Sequence, residues 1–435
     1  MTGTWRNWAG TVHARPAETV VAMSVEDVRS AVERARPRGL RVKAVGAGHS
    51  FTPIARTDGV AVRLDGLRGL TAADLPERRV RVRAGTPLHE LNPALQALGL
   101  ALPNLGDIDR QSLAGALATG THGTGGRRHG IASAVTGLRL VLADGSLLWC
   151  SAEEEPAVFE AARVGLGALG IVVEAELQCV PAFLLRAREG SDTLSAMLDG
   201  AALRAAEEHD HFELYWFPHT DRVQTKRNDR AAPHAPRRPL PAWRAWLDDE
   251  LLANDAFELV NRIGAWRPRL VPPLARLSAR ALSGREFVDH SWRVFCSSRR
   301  VRFVECEYAV PRASVGEVLR ALRDWVDAHD VAVSFPVEVR FLAGDDVWLS
   351  TAHGRDTAYV AVHQYHRVDP GPYFAAFEAI AGEHEGRPHW GKVHTLTADD
   401  LAPRYARFDD FRAVRDRLDP DRVFGNRYLE QVLGA

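Results

Sequence analysis

The alternation of hydrophobic and polar positions in the N-terminal part of the chain predicts short strands. Residues 41–45, 60–64 and 80–83 alternate polar and apolar side chains, as half-buried strands do. Two further strands are predicted at residues 137–142 and 171–177, where apolar side chains recur on one face. Helical patterns separate several of these strands, so this part of the chain predicts a mixed helix and sheet structure.

Two helices are predicted from their start and stop signals. Ser24 is a good N-cap residue, and the amphipathic pattern that follows it predicts a helix over residues 25–35. A second helix is predicted to begin with Thr86 as its cap and Pro87 at its first position. Leucines at helical spacing follow, and Gly99 is the expected end of that helix.

The composition of the chain shifts near Pro181. The Pro/Arg-rich stretch 233–241 predicts an exposed loop that is mobile or covers another part of the protein. Strands are predicted around residues 338–340 and 360–363, and a C-terminal helix over residues 408–418.

Composition excludes several classes of protein. The 435 residues exceed the usual size of one hydrophobic core, which predicts at least two domains. Lys and Arg (55) nearly balance Asp and Glu (56), so a nucleic acid or an anionic membrane surface is not an expected partner. No apolar run approaches the length of a membrane span, and no signal peptide is visible. Four scattered cysteines predict no disulfide framework, so we expect a soluble, cytoplasmic protein.

Two glycine-rich segments are the main candidates for ligand binding. The first, Gly46 to Phe51, follows a predicted strand and contains Gly-x-Gly, but Phe51 stands where a Rossmann fingerprint needs its third glycine. A turn remains whose backbone N–H groups can bind a pyrophosphate, with His49 at its apex. The second, Ser112 to Gly126, is predicted to be a loop of small residues that lets a flat ligand approach the backbone.

The combination of motifs resembles the aldonolactone oxidoreductases, a branch of the vanillyl-alcohol-oxidase flavoproteins that includes gulonolactone, arabinonolactone and alditol oxidases. The segments that carry the resemblance are 7–10 (NWAG), 46–51 (GAGHSF), 106–107 (GD) with 121–125 (THGTG), 389–392 (HWGK) and 418–424 (LDPDRVF). The resemblance implies an α+β fold of two domains: a PCMH-type FAD-binding domain at 1–181 and an α+β cap domain at 182–387. Residues 388–435 are expected to return to the FAD domain.

The resemblance also implies the cofactor, FAD, and its attachment. In covalent members the histidine of the Gly-His-Ser motif binds the 8α-methyl group of the flavin, a role that falls on His49. The alternative is that His49 only hydrogen-bonds a flavin held non-covalently. The residues expected to bind FAD are Gly46, Gly48, His49, Ser50, Phe51, Gly106, Asp107, Ser112, Gly115, Thr119, Thr121, His122, Gly123, Ile171, His389 and Lys392.

Four residues are expected to carry the chemistry. By resemblance, Glu338 and Arg340 line the substrate pocket, His363 binds substrate, and Lys392 lies near flavin N1 and the C2 carbonyl. Either Glu338 or His363 suits the role of proton acceptor, whereas Arg340 is always charged and suits orientation and electrostatic stabilisation. Glu338 could alternatively serve only to hold Arg340. Without the resemblance, a Glu-x-Arg pair in a strand would be interpreted as a surface ion pair.

Two positions bear on the substrate and the electron acceptor. Asp107 and His363 depart from the alditol-oxidase pattern, which favours a sugar lactone over a free polyol. Gly106 is expected to leave oxygen access to the flavin open, so an oxidase that yields hydrogen peroxide is predicted. A polyol oxidase and a dehydrogenase with another acceptor are the alternatives, and the oligomeric state is open.

Two other classes of function fit the sequence less well. The chain has 17 histidines, but those around positions 209–211 and 384–394 lack the His-Glu-x-x-His spacing of a metal hydrolase, so no metal is expected. A non-catalytic flavin-binding protein would not need Glu338, Arg340 and Lys392, all of which are present.

Overall fold

The computed structural model describes residues 3–232, 234–245, 254–280, 284–297, 299–329 and 331–435. The strands are β1 Trp5–Arg6, β2 His13–Ala14, β3 Glu18–Val21, β4 Val42–Val45, β5 Val60–Arg63, β6 Leu70–Asp74, β7 Arg79–Arg83, β8 Leu100–Ala101, β9 Val135–Val141, β10 Leu147–Ser151, β11 Ile171–Gln178, β12 Val180–Pro181, β13 Leu184–Thr193, β14 His211–Phe217, β15 Arg222–Arg230, β16 Arg285–His290, β17 Phe303–Pro311, β18 Val337–Leu342, β19 Thr357–Tyr365 and β20 Arg387–Pro388. The α-helices are α1 Val25–Ala35, α2 Leu88–Ala97, α3 Leu113–Ala118, α4 Pro156–Ala162, α5 Leu194–Ala196, α6 Ala202–Glu208, α7 Ala242–Ala245, α8 Phe257–Trp266, α9 Val271–Arg280, α10 Ser291–Phe295, α11 Val315–Ala328, α12 Gly371–Glu383, α13 Ala398–Leu401, α14 Phe408–Leu418 and α15 Arg427–Leu433.

Three larger sheets organise the strands. A parallel sheet has the order β3-β5-β4, and an antiparallel sheet has the order β10-β9-β11-β7-β6. Between Leu184 and Pro388 the chain forms an antiparallel sheet of eight strands in the order β16-β13-β15-β14-β18-β19-β17-β20. Strand β18, which carries Glu338 and Arg340, therefore lies inside this sheet between β14 and β19.

The C-terminal segment packs with the N-terminal half of the chain. Phe408, Tyr428 and Leu429 share one buried cluster with Leu88 and Val158. Helices α11 and α12 instead cover the eight-stranded sheet and share its core. The tail thus packs against the N-terminal half, while the division into domains at 1–181, 182–387 and 388–435 stays a prediction.

Several sequence predictions are confirmed. Helix α1 spans the predicted residues, and Ser24 and Asp27 form a capping box at its start. Helix α14 also has the predicted bounds. Gly99 follows α2 with a φ of 72°, the left-handed conformation that glycine adopts most readily after a helix.

Other predictions are wrong at the local level. Helix α2 begins at Leu88 with Pro87 as its cap, because the Thr86 hydroxyl is used elsewhere: it donates to the Arg83 carbonyl (2.6 Å) and accepts from the Gly69 N–H. The segment that starts at Ser112 was predicted to be a loop, but its first part is helix α3, with Ser112 as the N-cap.

The prediction of a loop at 233–241 can be tested for residues 234–241. Most of these residues are exposed, as expected. The segment is nevertheless attached to β16, because Arg238 and Val288 form an antiparallel bridge and Arg237 forms an ion pair with Asp289 (2.5 Å). Pro233 itself lies outside the described residues. Within the described ranges, none of the helices combines the length and hydrophobicity that crossing a membrane requires.

Candidate active site

The loop that carries His49 leaves strand β4 and meets the second glycine-rich segment. A Cβ atom on Gly46 would lie 2.8 Å from Ser112 Oγ, so glycine at this position allows the two segments to touch. Ser112 caps helix α3 by accepting from the Gly115 N–H (3.3 Å). Gly48 has a φ of 75° and its carbonyl accepts from the Trp8 N–H (2.7 Å), which fixes the turn before His49.

The C-terminal return of the chain holds the far side of this loop. The Phe51 N–H donates to the Gly391 carbonyl (2.7 Å), and the Thr52 hydroxyl donates to the Trp390 carbonyl (3.0 Å). The side-chain amide of Asn426 donates to the carbonyls of the following turn, including that of Ile54 (2.9 Å). The His49 loop is therefore completed by residues more than 300 positions later in the sequence.

A cleft of about 610 Å³ runs along both glycine-rich segments. This volume lies in the range of small-molecule and cofactor sites. A second, smaller cavity of about 70 Å³ adjoins it, and His49, Ser50, Gln111 and Thr119 line both. His49 thus lies at the junction of a long cleft and a compact inner cavity.

Almost all of the predicted site residues line one of these cavities. Those at the cleft are Gly46, Gly48, His49, Ser50, Ser112, Gly115, Thr119 and Ile171. Those at the inner cavity are His49, Ser50, Phe51, Gly106, Asp107, Thr119, Thr121, His122, Glu338, Arg340, His363, His389 and Lys392. The exception is Gly123, which lines neither. It lies against the backbone, since a Cβ atom there would be 2.1 Å from the Leu105 carbonyl oxygen.

We therefore expect Gly123→Ala to destabilise the fold rather than change the chemistry. The added methyl group collides with backbone that cannot move freely, and such overpacking typically costs about 1–3 kcal/mol. The denaturant midpoint should fall accordingly. Gly382→Ala is the matched control, because no atom lies within 4 Å of its Cβ position. Equal midpoints for the two variants would contradict this assignment.

Arg340 is the centre of an ionic cluster at the inner cavity. Its guanidinium group pairs with Glu338, with Glu213 Oε2 (3.1 Å) and with Asp107 Oδ1 (3.5 Å). The register of β14 against β18 places Glu213 opposite Arg340. Arg299 forms a further ion pair with Asp107. Three carboxylates thus hold one guanidinium group in a fixed orientation.

Burial and charge act differently on the two main carboxylates of this cluster. Burial alone would raise the pKa of Asp107, but Arg299 and Arg340 outweigh it and hold this pKa below its usual range. For Glu338, burial dominates and raises the pKa to about 7, although Arg340 opposes the shift. Asp107 is therefore a permanent anion, whereas Glu338 can gain or lose a proton near neutral pH.

A second polar group surrounds Lys392. Its ammonium group pairs with Glu305 on β17, and His363 Nε2 lies 3.6 Å from the other oxygen of Glu305. Burial alone would lower the pKa of Lys392, but Glu305 and Glu307 outweigh it and raise the pKa. Burial lowers the pKa of His363, and its Nδ1 lies 3.1 Å from the Pro336 carbonyl. The inner cavity thus has a fixed cation beside a neutral imidazole.

A third group was not anticipated as a cluster. Glu307 Oε1 lies 3.4 Å from His122 Nε2, and the His122 ring stacks on Tyr359 at 3.6 Å between centroids. One ligand atom each from His122, Glu307 and His389 lie within 4.8 Å of one another. By sequence, His389 falls in one candidate group with His384 and His394, but the structure groups it with His122 instead. His394 Nε2 forms a hydrogen bond with the Tyr428 hydroxyl (2.8 Å).

Sequence analysis missed several residues of the site. These are Glu213, Tyr215, Lys226, Arg299, Glu305 and Glu307. A signal existed for the last two, because Glu305-Cys306-Glu307 places two carboxylates on one face of an otherwise apolar strand. Buried carboxylates need partners, so such a strand indicates a functional face. No comparable signal distinguished Arg299 from the other arginines.

The cleft, its glycine-rich walls and the fold define the class of this protein. Residues 16–151 match the FAD binding domain family. Among solved structures, cholesterol oxidase from Brevibacterium sterolicum superposes with a TM-score of 0.81, covering 99% of this chain and 96% of that chain at 18% identity. A solvent-stable cholesterol oxidase gives a TM-score of 0.83 at 18% identity, covering 99% and 97%. This likeness shows the fold, and together with the match to the FAD binding domain family it confirms the predicted fold class.

Residues 175–432 match the D-arabinono-1,4-lactone oxidase family, and the chain belongs to this family. It is similar to L-gulono-1,4-lactone dehydrogenase of Mycobacterium tuberculosis, at 41% identity over 100% of both chains. L-gulonolactone oxidase of Scyliorhinus torazame is 35% identical and alditol oxidase of a Streptomyces species 33%, each over 98% of both chains. The predicted class, an FAD-dependent oxidoreductase acting on CH–OH groups, is confirmed.

Proposed function

We propose that this protein oxidises a CH–OH group of a sugar 1,4-lactone, with FAD in the long cleft and the lactone in the inner cavity. The observation that carries the proposal is the meeting of Glu338, Arg340 and Lys392 in a cavity that adjoins His49. The relatives named for gulonolactone support the substrate class. An alditol is the second candidate, supported by the Streptomyces relative.

The residues of the cleft fit FAD, and we propose that His49 is its attachment point. Glycine backbone and the Ser112 hydroxyl offer hydrogen bonds to phosphate, and His49 lies where the cleft meets the inner cavity. Burial lowers the pKa of His49 to about 4, and Lys392 adds to the effect. The imidazole is therefore neutral at physiological pH, which a nitrogen that forms a bond to carbon requires.

Each charged residue of the inner cavity has a proposed task. When bound, FAD supplies a two-electron acceptor for the hydride of the carbinol carbon. Arg340 and Lys392 orient the substrate and stabilise the negative charge that develops. Glu338 accepts the alcohol proton. Its Oε1 is in contact with Tyr215 and Arg340, whereas its Oε2 has no hydrogen-bond partner among the described residues and can take the proton. His363 accepts a hydrogen bond from a substrate hydroxyl.

We propose O2 as the electron acceptor, with hydrogen peroxide as product. Gly106 lines the inner cavity without a side chain, and a Cβ atom there would lie 3.0 Å from the His122 carbonyl oxygen and 3.2 Å from Thr121 Cγ2. Glycine therefore leaves room that even a methyl group would fill. A dehydrogenase that uses another acceptor is the second candidate, in line with the name of the mycobacterial relative.

A substrate screen on the FAD-loaded protein tests the proposal. L-gulono-1,4-lactone, D-arabinono-1,4-lactone and xylitol are added without oxygen, and loss of the visible flavin absorbance is recorded; peroxide is then measured in air. We expect bleaching by a lactone and peroxide on aeration. Bleaching by xylitol alone would favour the alditol candidate, and reduced flavin that persists in air would favour the dehydrogenase.

The rate of flavin reduction is expected to depend on pH through Glu338. A proton acceptor must be ionised, and the pKa of Glu338 is raised to about 7. The reduction rate should therefore be maximal above pH 7 and fall roughly tenfold for each unit below it. Stopped-flow measurements across this range give the profile. Glu338→Gln should abolish the dependence along with most of the rate; an unchanged pH profile in this variant would assign the proton to another group, with His363 the next candidate.

A further inference from the structure

The hydroxyl group of Tyr215 lies between two buried carboxyl groups. The register of β14 against β18 sets Tyr215 opposite Glu338, and the phenol oxygen lies 2.9 Å from Glu338 Oε1 and 3.1 Å from Glu213 Oε1. A phenol has one hydrogen and can donate it to one carboxylate only. Both short contacts are satisfied together when one carboxyl group is protonated and donates to the phenol oxygen, while the phenol donates to the other.

Of the two, Glu338 is the carboxyl group suited to hold this proton. Burial raises its pKa to about 7, with Asp107 and Glu213 adding to the shift and Arg340 and Arg299 opposing it. The pKa of Glu213 is instead lowered: burial would raise it, but Lys226 and Arg340 outweigh that effect. With the proton on Glu338, the hydrogen bonds run in one direction, from Glu338 through Tyr215 to Glu213.

We propose that Tyr215 and Glu213 form a proton relay that returns Glu338 to its ionised form after each turnover. This inference rests on the proposed function of Glu338 and extends it to residues outside the inner cavity. The proton arrives on Glu338 from the substrate hydroxyl. After the carboxyl group rotates, its O–H bond breaks as the phenol oxygen of Tyr215 gains the proton, and the phenolic O–H bond breaks as Glu213 gains one. No electrons move, and Tyr215 ends unchanged.

Lys226 marks the outer end of this path. Its ammonium nitrogen lies 3.2 Å from Glu213 Oε1, and its side chain is 22% exposed, compared with 10% for Glu213 and 6% for Glu338. The exposed fraction thus increases step by step along the path. Lys226 lowers the pKa of Glu213 and so stabilises its anion between turnovers; the O–H bond of protonated Glu213 breaks as the proton passes to water.

Charge supplies the driving force for the relay. The three carboxyl groups Asp107, Glu213 and Glu338 are matched by the three cations Arg299, Arg340 and Lys226 when every group is ionised. A proton taken up by Glu338 leaves this buried cluster with one positive charge in excess. Release of the proton to solvent restores neutrality, which a low-dielectric site favours.

Tyr215→Phe tests the relay. The variant keeps the ring and removes only the hydroxyl group, so the substrate affinity should be retained while proton release falls behind flavin reduction. In weakly buffered solution with an indicator dye, the wild type should release its proton together with flavin bleaching; in Tyr215→Phe, release should lag by about tenfold or more. Added imidazole should restore the rate. Tyr373→Phe is the matched control, because the buried Tyr373 hydroxyl has no hydrogen-bond partner in the described chain.

A second variant separates the relay from a merely structural role. In substrate-free protein, infrared titration of the Glu338 carboxyl band should give a higher pKa in Tyr215→Phe, because a donor to the anion is lost. It should give a lower pKa in Glu213→Gln, because a neighbouring negative charge is lost. The relay predicts slow proton release in both variants despite these opposite shifts. Simultaneous release and bleaching in Tyr215→Phe would overturn it.

The two proposals fail in different ways. If no lactone or alditol reduces the flavin of the wild type, the proposed function is overturned. The infrared titration uses no substrate and still decides the relay, since unmoved Glu338 titration in both variants would show that the three groups do not share a proton.

Discussion

FAD is expected to wash out of the His49→Ala protein in acid or urea, whereas the wild type should keep its flavin after denaturation. The expected effect is complete, because no other residue is proposed to bond the cofactor. His49 lies at the junction of the two cavities and carries a neutral imidazole, with a pKa lowered by burial to about 4. Its removal takes away the bond and leaves the glycine backbone of the cleft in place.

The measurement is flavin absorbance in the precipitated and washed protein, compared with the supernatant. His89→Ala is the control, because His89 lines the same cleft but belongs to helix α2 rather than to the glycine-rich loop. The control should retain its flavin. Flavin that stays attached to the denatured His49→Ala protein would place the linkage elsewhere, and flavin that washes out of the wild type would support the non-covalent alternative.

Arg340→Met is expected to have the largest effect on catalysis. The variant replaces a cation by an apolar chain of similar length, and the rate of flavin reduction should fall by about 10²–10³, as when one preorganised electrostatic contact to a transition state is lost. Arg340 also neutralises Glu338, Glu213 and Asp107. Their buried charges lose a partner, so stability should fall by about 3–5 kcal/mol.

Stopped-flow reduction and the denaturant midpoint measure the two effects separately. Arg340→Lys keeps the charge but cannot reach three carboxylates at once, so it should recover part of the stability and little of the rate. Arg417→Met is the control for loss of an arginine, because Arg417 forms an exposed ion pair with Glu155 and lines neither cavity. An undiminished reduction rate in Arg340→Met would remove Arg340 from the mechanism.

The sequence was most informative where function depends on local order along the chain. The loop from Gly46 to Phe51, the Glu338–Arg340 strand and Lys392 were all found as short motifs, and the structure brings them to one pair of cavities. Helix α1 was also predicted with its bounds, because its cap and its pattern agree. These features are local, so the resemblance could be recognised without knowledge of the fold, although the Glu338–Arg340 pair alone would have indicated a surface ion pair.

The partners supplied by sheet pairing could not be predicted in this way. Glu213 and Tyr215 meet Arg340 and Glu338 only because β14 pairs with β18 in one particular register, across 123 residues for the Tyr215–Glu338 pair. A shift of one residue would turn these side chains to the other face of the sheet. The sequence predicted the strand that carries Glu338 but held no information on which strand lies beside it.

The start of helix α2 shows the same limitation at short range. Thr86 is a residue type that favours helix caps, but its hydroxyl bonds the Arg83 carbonyl and the Gly69 N–H. The contact with Gly69 depends on the path of the preceding strands. Residue propensity therefore predicted the start of helix α2 to within one residue, and tertiary contacts determined which residue caps it.

The hydrogen bonds that hold the His49 loop bear on the order of events during biosynthesis. They come from Trp390, Gly391 and Asn426. A ribosome makes the loop early, but the amide and carbonyl groups that complete it belong to residues 390–426 and are made much later. A nascent chain that has already released its N-terminal strands therefore still lacks the contacts that hold the far side of the His49 loop. We therefore expect a chain truncated before Trp390 to attach flavin less well than the chain that includes Asn426.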